Sequence, residues 1–117
     1  MMQLNAAQQG LWSGHLLNDD KAMFNTAECI AFSGKVQANK LISALEQAVS
    51  ECETLSGCFV QQGEQVSFQP RSLPVGVRRL ALSQLAAATT PEQQVRNWAM
   101  RDLRNPFDLQ AELPCRF

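Results

Sequence analysis

The chain predicts a mixed α/β fold in which a sheet packs with helices. Three observations predict it: a long helical stripe over 37–53, a paired run of strand character over 58–69, and a capped helix opening at Pro91. With 117 residues there is room for one small domain or part of one, and a hydrophobic content of 45% is enough for a core.

Over Ala6–Leu17, Ala7, Leu11, Trp12 and Leu16 recur at helical spacing behind Asn5, which can serve as N-cap. Asn18-Asp19-Asp20 supplies turn chemistry. Residues 25–35, with Thr26, Cys29, Ile30 and Phe32, read as a strand ended by Ser33-Gly34-Lys35. Between 37 and 53, Ala38, Leu41, Ile42, Leu45, Ala48, Val49 and Cys52 form one continuous helical stripe, for which Gly57 offers a left-handed stop. Residues 58–69 then read as a hairpin turning at Gln61-Gln62-Gly63-Glu64.

Residues 70–74 are irregular, 75–80 read as a further strand, and 83–88 are too short and rich in small residues to place. Thr90-Pro91-Glu92-Gln93 combines a cap, a proline at the first helical position and a capping-box partner. A helix over 91–104 follows, with Val95, Trp98, Ala99 and Leu103 facing inward until Pro106 stops it. Residues 113–117 have the character of a strand just beginning, which is the expectation for a piece of a longer protein.

Charge and composition narrow the function. Ten basic against 11 acidic side chains give no electrostatic reason to expect nucleic acid or an anionic membrane as partner. The polar start lacks the apolar centre of a secretory signal and no apolar run is long enough to span a bilayer, so the expectation is a cytoplasmic chain. Cys29, Cys52, Cys58 and Cys115 therefore read as reduced thiols, without zinc-type spacing or the histidines to complete a site. His15 is the single histidine and reads as a packing or surface residue rather than a catalytic base. Asp102, Asp108 and Glu112 read as helix-end and surface charges rather than an acid and base pair, and no glycine-rich phosphate loop is present. Arg71, Arg78, Arg79, Arg96, Arg101 and Arg104 read as solvated, with a face for an acidic partner or a phosphate as the alternative.

Ala7, Gln8, Leu11 and Trp12, then Glu53, Leu55 and Phe59, then Pro106-Phe107-Asp108-Leu109 followed by Pro114 and Arg116, together resemble the opening of a nonribosomal peptide synthetase condensation domain. The first group follows the pattern Ser-x-Ala-Gln-x-Arg-Leu-Trp, with Asn5 and Gly10 as departures. Gly10 resembles siderophore-type members. The second follows Arg-His-Glu-x-Leu-Arg-Thr-x-Phe, with Ser56 where the family has the arginine that supports the aspartate of its catalytic motif.

The resemblance implies the first part of the N-terminal lobe of a chloramphenicol-acetyltransferase-like fold, ending before the catalytic His-His-x-x-x-Asp-Gly motif, so that residues 1–117 carry no catalytic residue. It implies a parent protein that joins a carrier-bound acyl donor to an amine, without a metal or a directly bound cofactor. Phosphopantetheine would be present on partner carrier proteins. Met1-Met2 ahead of the first motif gives the expectation that the domain opens its polypeptide. Further implied partners are the rest of the same domain and, for the piece alone, a second copy. The alternatives are a cyclisation, epimerisation or acyltransferase relative, a degenerate domain that only docks carriers, and a small α/β interaction protein.

Overall fold

In the computed structural model, which describes residues 2–82 and 90–117, the order is β1 (Met2–Gln3), α1 (Ala6–Leu17), α2 (Ala38–Glu51), β2 (Gly57–Gln62), β3 (Gln65–Pro70) and α3 (Pro91–Leu103). The unplaced 83–88 stretch falls outside the described residues.

α1 begins where Asn5 was expected to cap it, and the cap is reciprocal. Asn5 Oδ1 accepts from Gln8 N at 2.9 Å and Gln8 Oε1 accepts from Asn5 N at 2.9 Å, satisfying two amide donors outside the helical ladder. At the other end Lys21 Nζ donates to the carbonyls of His15 (2.7 Å) and Leu16 (3.0 Å), a cation placed at the negative end of the helix. The turn that follows is built by Asn18 Oδ1 accepting from Asp20 N and Asp20 Oδ1 accepting from Ala22 N.

Residues 25–35 form no strand. The three strands pair in the order β1-β3-β2, all antiparallel, and 25–35 joins no ladder. Ile30 and Phe32 are 69% and 63% exposed, so the packing that turns a β-branched and aromatic run into a strand is missing. The expected break does occur, with Gly34 at φ +90°.

α2 matches the stripe, although only one side of it is covered. Ala38, Ile42, Leu45 and Cys52 are half-buried and Val49 is buried, whereas Leu41 and Ala48 face solvent. Gly57 is not a left-handed stop; positive φ is confined to Gly34 and Gly63 among the described residues. Its requirement is steric, because a Cβ there would run into the Gln69 carbonyl and lie 2.8 Å from the Phe68 ring. The hairpin forms as expected, with Phe59 opposite Phe68, and turns at Gly63-Glu64. Gly63, at φ +63°, takes the first loop position, the pattern of a II′ turn.

The expected strand over 75–80 is reduced to one parallel bridge, Gly76 with Arg116, closed by Phe117 N to Gly76 O (2.7 Å) and Arg78 N to Phe117 O (2.8 Å). It pairs with the 113–117 segment read as an incipient strand. α3 starts on Thr90, whose hydroxyl accepts from Gln93 N (3.3 Å), but the expected capping box is not closed, because the Gln93 side chain turns along the helix and its amide donates to Asn97 (2.8 Å). Its expected inward face is only half-covered: Trp98, Ala99 and Leu103 are half-buried, and Val95 is 42% exposed because no described element lies over it closely enough to bury it.

Candidate functional site

The core gathers side chains from segments far apart in sequence. Leu4, Trp12 and Phe68 are buried together, with Met2, Phe59, Val66 and Leu109 packed against them. Trp12 stacks on Phe59 with ring centroids 5.3 Å apart, and Phe59 meets Phe68 edge-on at 5.2 Å, two geometries that suit the aromatic quadrupole. The Phe59 amide donates to the Leu109 carbonyl at 2.8 Å, so the edge of β2 is tied to the 108–112 turn by backbone as well as by packing. That turn is self-contained. Asp108 O accepts from Ala111 and Glu112, Asp108 Oδ1 accepts from Gln110 N, and Glu112 Oε1 accepts from Asp108 N at 2.6 Å.

Of the motif residues singled out in the sequence, Trp12, Phe59 and Leu109 meet in this core. Gln8 serves the N-terminal cap of α1, and Leu55 is half-buried in the turn after α2. Phe107 lies under the Arg116 guanidinium, 4.1 Å from ring centroid to Cζ. Ala7, Glu53, Pro106 and Asp108 are exposed, as is Leu11 at 52%. His15 lies against Trp12 with ring centroids 6.1 Å apart, a packing position. The six arginines 71, 78, 79, 96, 101 and 104 are all exposed.

A cleft of about 520 Å³ opens between the end of α2, the base of the hairpin and the 70–75 segment, with Val49 and Leu113 as its apolar wall and Glu46, Ser56 and Arg71 among its polar lining. Ser56 is committed locally, its hydroxyl donating to Cys52 O at 2.9 Å and its carbonyl accepting from Arg71 N at 3.0 Å. The charge of Arg71 favours the Cys58 thiolate. Burial is nevertheless the larger influence on Cys58 and pushes its pKa up, consistent with a thiol 1% exposed whose Sγ lies 3.4 Å from Glu112 O. Cys115 is likewise raised by burial, whereas a hydrogen bond with the Thr54 hydroxyl lowers Cys52.

Two residues hold this region: Arg116, which the sequence marked only as a motif residue, and Asn25, which it did not single out. Arg116 donates to Asp102 O and Asn105 O and pairs with the Asp102 carboxylate at 3.2 Å; Asn25 Nδ2 donates to Leu103 O (3.1 Å) and Asn105 O (2.9 Å). Together they satisfy carbonyls at the C-terminus of α3. The motif position marks Arg116 without its bonding role, and nothing local in the sequence marks Asn25. Among the described residues no group of three histidine, cysteine or carboxylate side chains could hold a metal, and no helix is long and apolar enough to cross a membrane.

This arrangement joins the three motif segments in one core. The condensation domain family model matches residues 1–117. The chain is 34% identical over 106 residues to "Isonitrile lipopeptide synthase" of Streptomyces coeruleorubidus, covering 91% of this chain and 7% of that protein. It is 31% identical over 117 residues to "Probable non-canonical nonribosomal peptide synthetase (NRPS) CymA" of Salinispora arenicola, covering 99% of this chain and 1% of that protein. The chain thus spans less than a tenth of the length of either relative, and by its match from end to end it belongs to the condensation domain family.

Proposed function

We propose that residues 1–117 are the N-terminal portion of a condensation domain with a chloramphenicol-acetyltransferase-like N-lobe, whose complete protein forms an amide bond between a carrier-bound acyl donor and an amine acceptor. The observation that carries this reading is the meeting of Trp12, Phe59 and Leu109 in one core, within a chain matched by the family along its whole length. In this reading Ala7, Gln8, Leu11, Glu53, Leu55, Pro106, Phe107 and Asp108 shape the same framework, and none of the 117 residues is catalytic. The acyl donor would arrive as a thioester on the phosphopantetheine arm of a carrier protein, and the remainder of the domain would complete the tunnel. Holding two tethered substrates in one tunnel replaces a bimolecular encounter with an oriented one, a large share of the acceleration available to such a reaction.

The siderophore-type reading of the product rests on Gly10 in the first motif, and the lipopeptide in the Streptomyces relative's name supplies the competing product class. A cytoplasmic setting suits carrier-dependent chemistry of either kind. A second reading, carrier docking without catalysis, is favoured by Ser56, whose short side chain is spent on Cys52 O where the family places an arginine. The complete polypeptide, supplied with loaded donor and acceptor carriers and followed by mass spectrometry, decides between them. An amide product supports the synthetic reading; carrier binding without product supports docking and overturns it.

A further inference from the structure

Between α1 and α2 the chain leaves an arm that no described element covers. Every residue from Thr26 to Val36 is exposed, with Ile30 at 69%, Phe32 at 63% and Val36 at 48%. None of their backbone N–H or C=O groups has a hydrogen-bond partner among the described residues. The chain runs from Asn25 to Ser33 without a turn or bend, and Gly34 at φ +90° then breaks it. Both roots are fixed. Asn25 Nδ2 donates to the carbonyls of Leu103 and Asn105, and the Gln37 carbonyl accepts from Leu41 N at 3.1 Å in the first turn of α2. Pairing would therefore order a segment whose ends are already held, which limits its entropic cost.

An extended run with open amides and carbonyls and with β-branched and aromatic side chains is a template for strand pairing. Its sequence is complementary to itself. Side chains of a strand alternate between faces, so Ile30 and Phe32 share one face, while Cys29, Ala31 and Ser33 share the other. Two copies running antiparallel about Ala31 set Ile30 of each opposite Phe32 of the other, Cys29 opposite Ser33, and Ala31 opposite itself. The neighbouring symmetric registers are poorer. Pairing about Ile30 sets Phe32 opposite Glu28, and pairing about Phe32 sets Ile30 opposite Gly34. Antiparallel order also brings the Glu28 end of one arm to the Lys35 end of the other, so like charges do not meet. The surface to be covered is sufficient: 8976 Å² of accessible area exceeds the about 6,300 Å² of a compact chain of 13.0 kDa by more than a standard interface buries.

We propose that the stretch from Cys29 to Ser33 is a self-recognition strand, through which two copies of this chain pair antiparallel about Ala31. The backbone ladder supplies the pairing, and the cross-strand contacts of Ile30 with Phe32 fix the register. The inference rests on the arm alone and is independent of the chemistry assigned to the complete protein.

The test is register-specific cross-linking of the full 117-residue chain. C29S/A31C, C29S/A27C and C29S/S33C each leave a single thiol on the arm, at exposed positions of the same strand face. In a glutathione redox buffer, C29S/A31C should form a covalent dimer at about ten times the rate of the other two, because only thiols opposite each other bring their Cα atoms within the roughly 7 Å that a disulfide demands. Mass spectrometry after digestion without reduction should map the bridge to position 31 of both copies. S33C with Cys29 retained should recover fast cross-linking, now between position 33 of one copy and Cys29 of the other. The arm carries no helix or ladder, so all four variants should keep the helical circular dichroism signal. Equal rates at the three positions, a maximum at 27 or 33, or no covalent dimer from either C29S/A31C or S33C would overturn the proposal.

Discussion

Trp12 is the side chain through which α1 is held to the sheet: it is 6% exposed, stacks on Phe59 and shares its pocket with Leu4 and Phe68. Trp12→Ala is expected to lower stability by about 3–5 kcal/mol, read as a fall in the urea midpoint, because it removes the stack on Phe59 and leaves a large cavity at the junction of α1 and the hairpin. Trp12→Phe should cost distinctly less by keeping the stack. Cys58 gives a pH signature at the same scale. Burial raises its pKa above the ordinary 9.0, so the folded chain keeps the proton after the unfolded chain has lost it. Its contribution is complete below that value and is lost as pH rises through the folded pKa. Urea midpoints taken from about pH 8 to about pH 10 should therefore fall more steeply for the native sequence than for Cys58→Ala. Parallel slopes would remove burial as the cause.

The C-terminus of α3 depends on two side chains from elsewhere, Asn25 and Arg116, which bond the carbonyls of 102, 103 and 105. Arg116→Ala should cost about 1–3 kcal/mol, since it removes charge-assisted bonds to partly buried acceptors. Hydrogen exchange should locate the loss in the last turn of α3 and at the Gly76 bridge. Arg116→Lys should recover less than half, because an ammonium cannot reproduce the guanidinium fork.

The same elements show where the sequence was readable. Asn5, Thr90 and Gly63 act through bonds and torsions within a few residues of themselves, and so α1, α3 and the hairpin were legible. Phe59 and Leu109 were legible as motif residues, but their shared core depends on the register of β2 against the 108–112 turn, which no local pattern encodes. Residues 25–35 have strand composition without a strand partner, and pairing is a property of the neighbour. Gly57 was read as a torsional glycine when its constraint is the backbone of Gln69 across the ladder.

Across the whole molecule, surface exceeds what a chain of this mass needs. The accessible area is 8976 Å², against about 6,300 Å² for a compact monomer of 13.0 kDa. The radius of gyration is 16.6 Å, against about 13 Å for a compact domain of this length. Much of the excess is apolar: Leu17 is 87% exposed, and Ile30, Phe32, Leu11 and Met100 are half or more uncovered or close to it. An excess of roughly 2,600 Å² is the size of surface that obligate interfaces bury. A formal charge of -1 offers little repulsion between copies. The 117-residue chain on its own should therefore self-associate, with an average mass in light scattering that rises with concentration. Ile30→Ser with Phe32→Ser should lower that mass without reducing the helical circular dichroism signal, because 25–35 contributes exposed surface and no secondary structure. A strict monomer across the full concentration range would mean that the apolar faces fold onto one another in solution, and the radius of gyration measured by X-ray scattering would then approach the compact value.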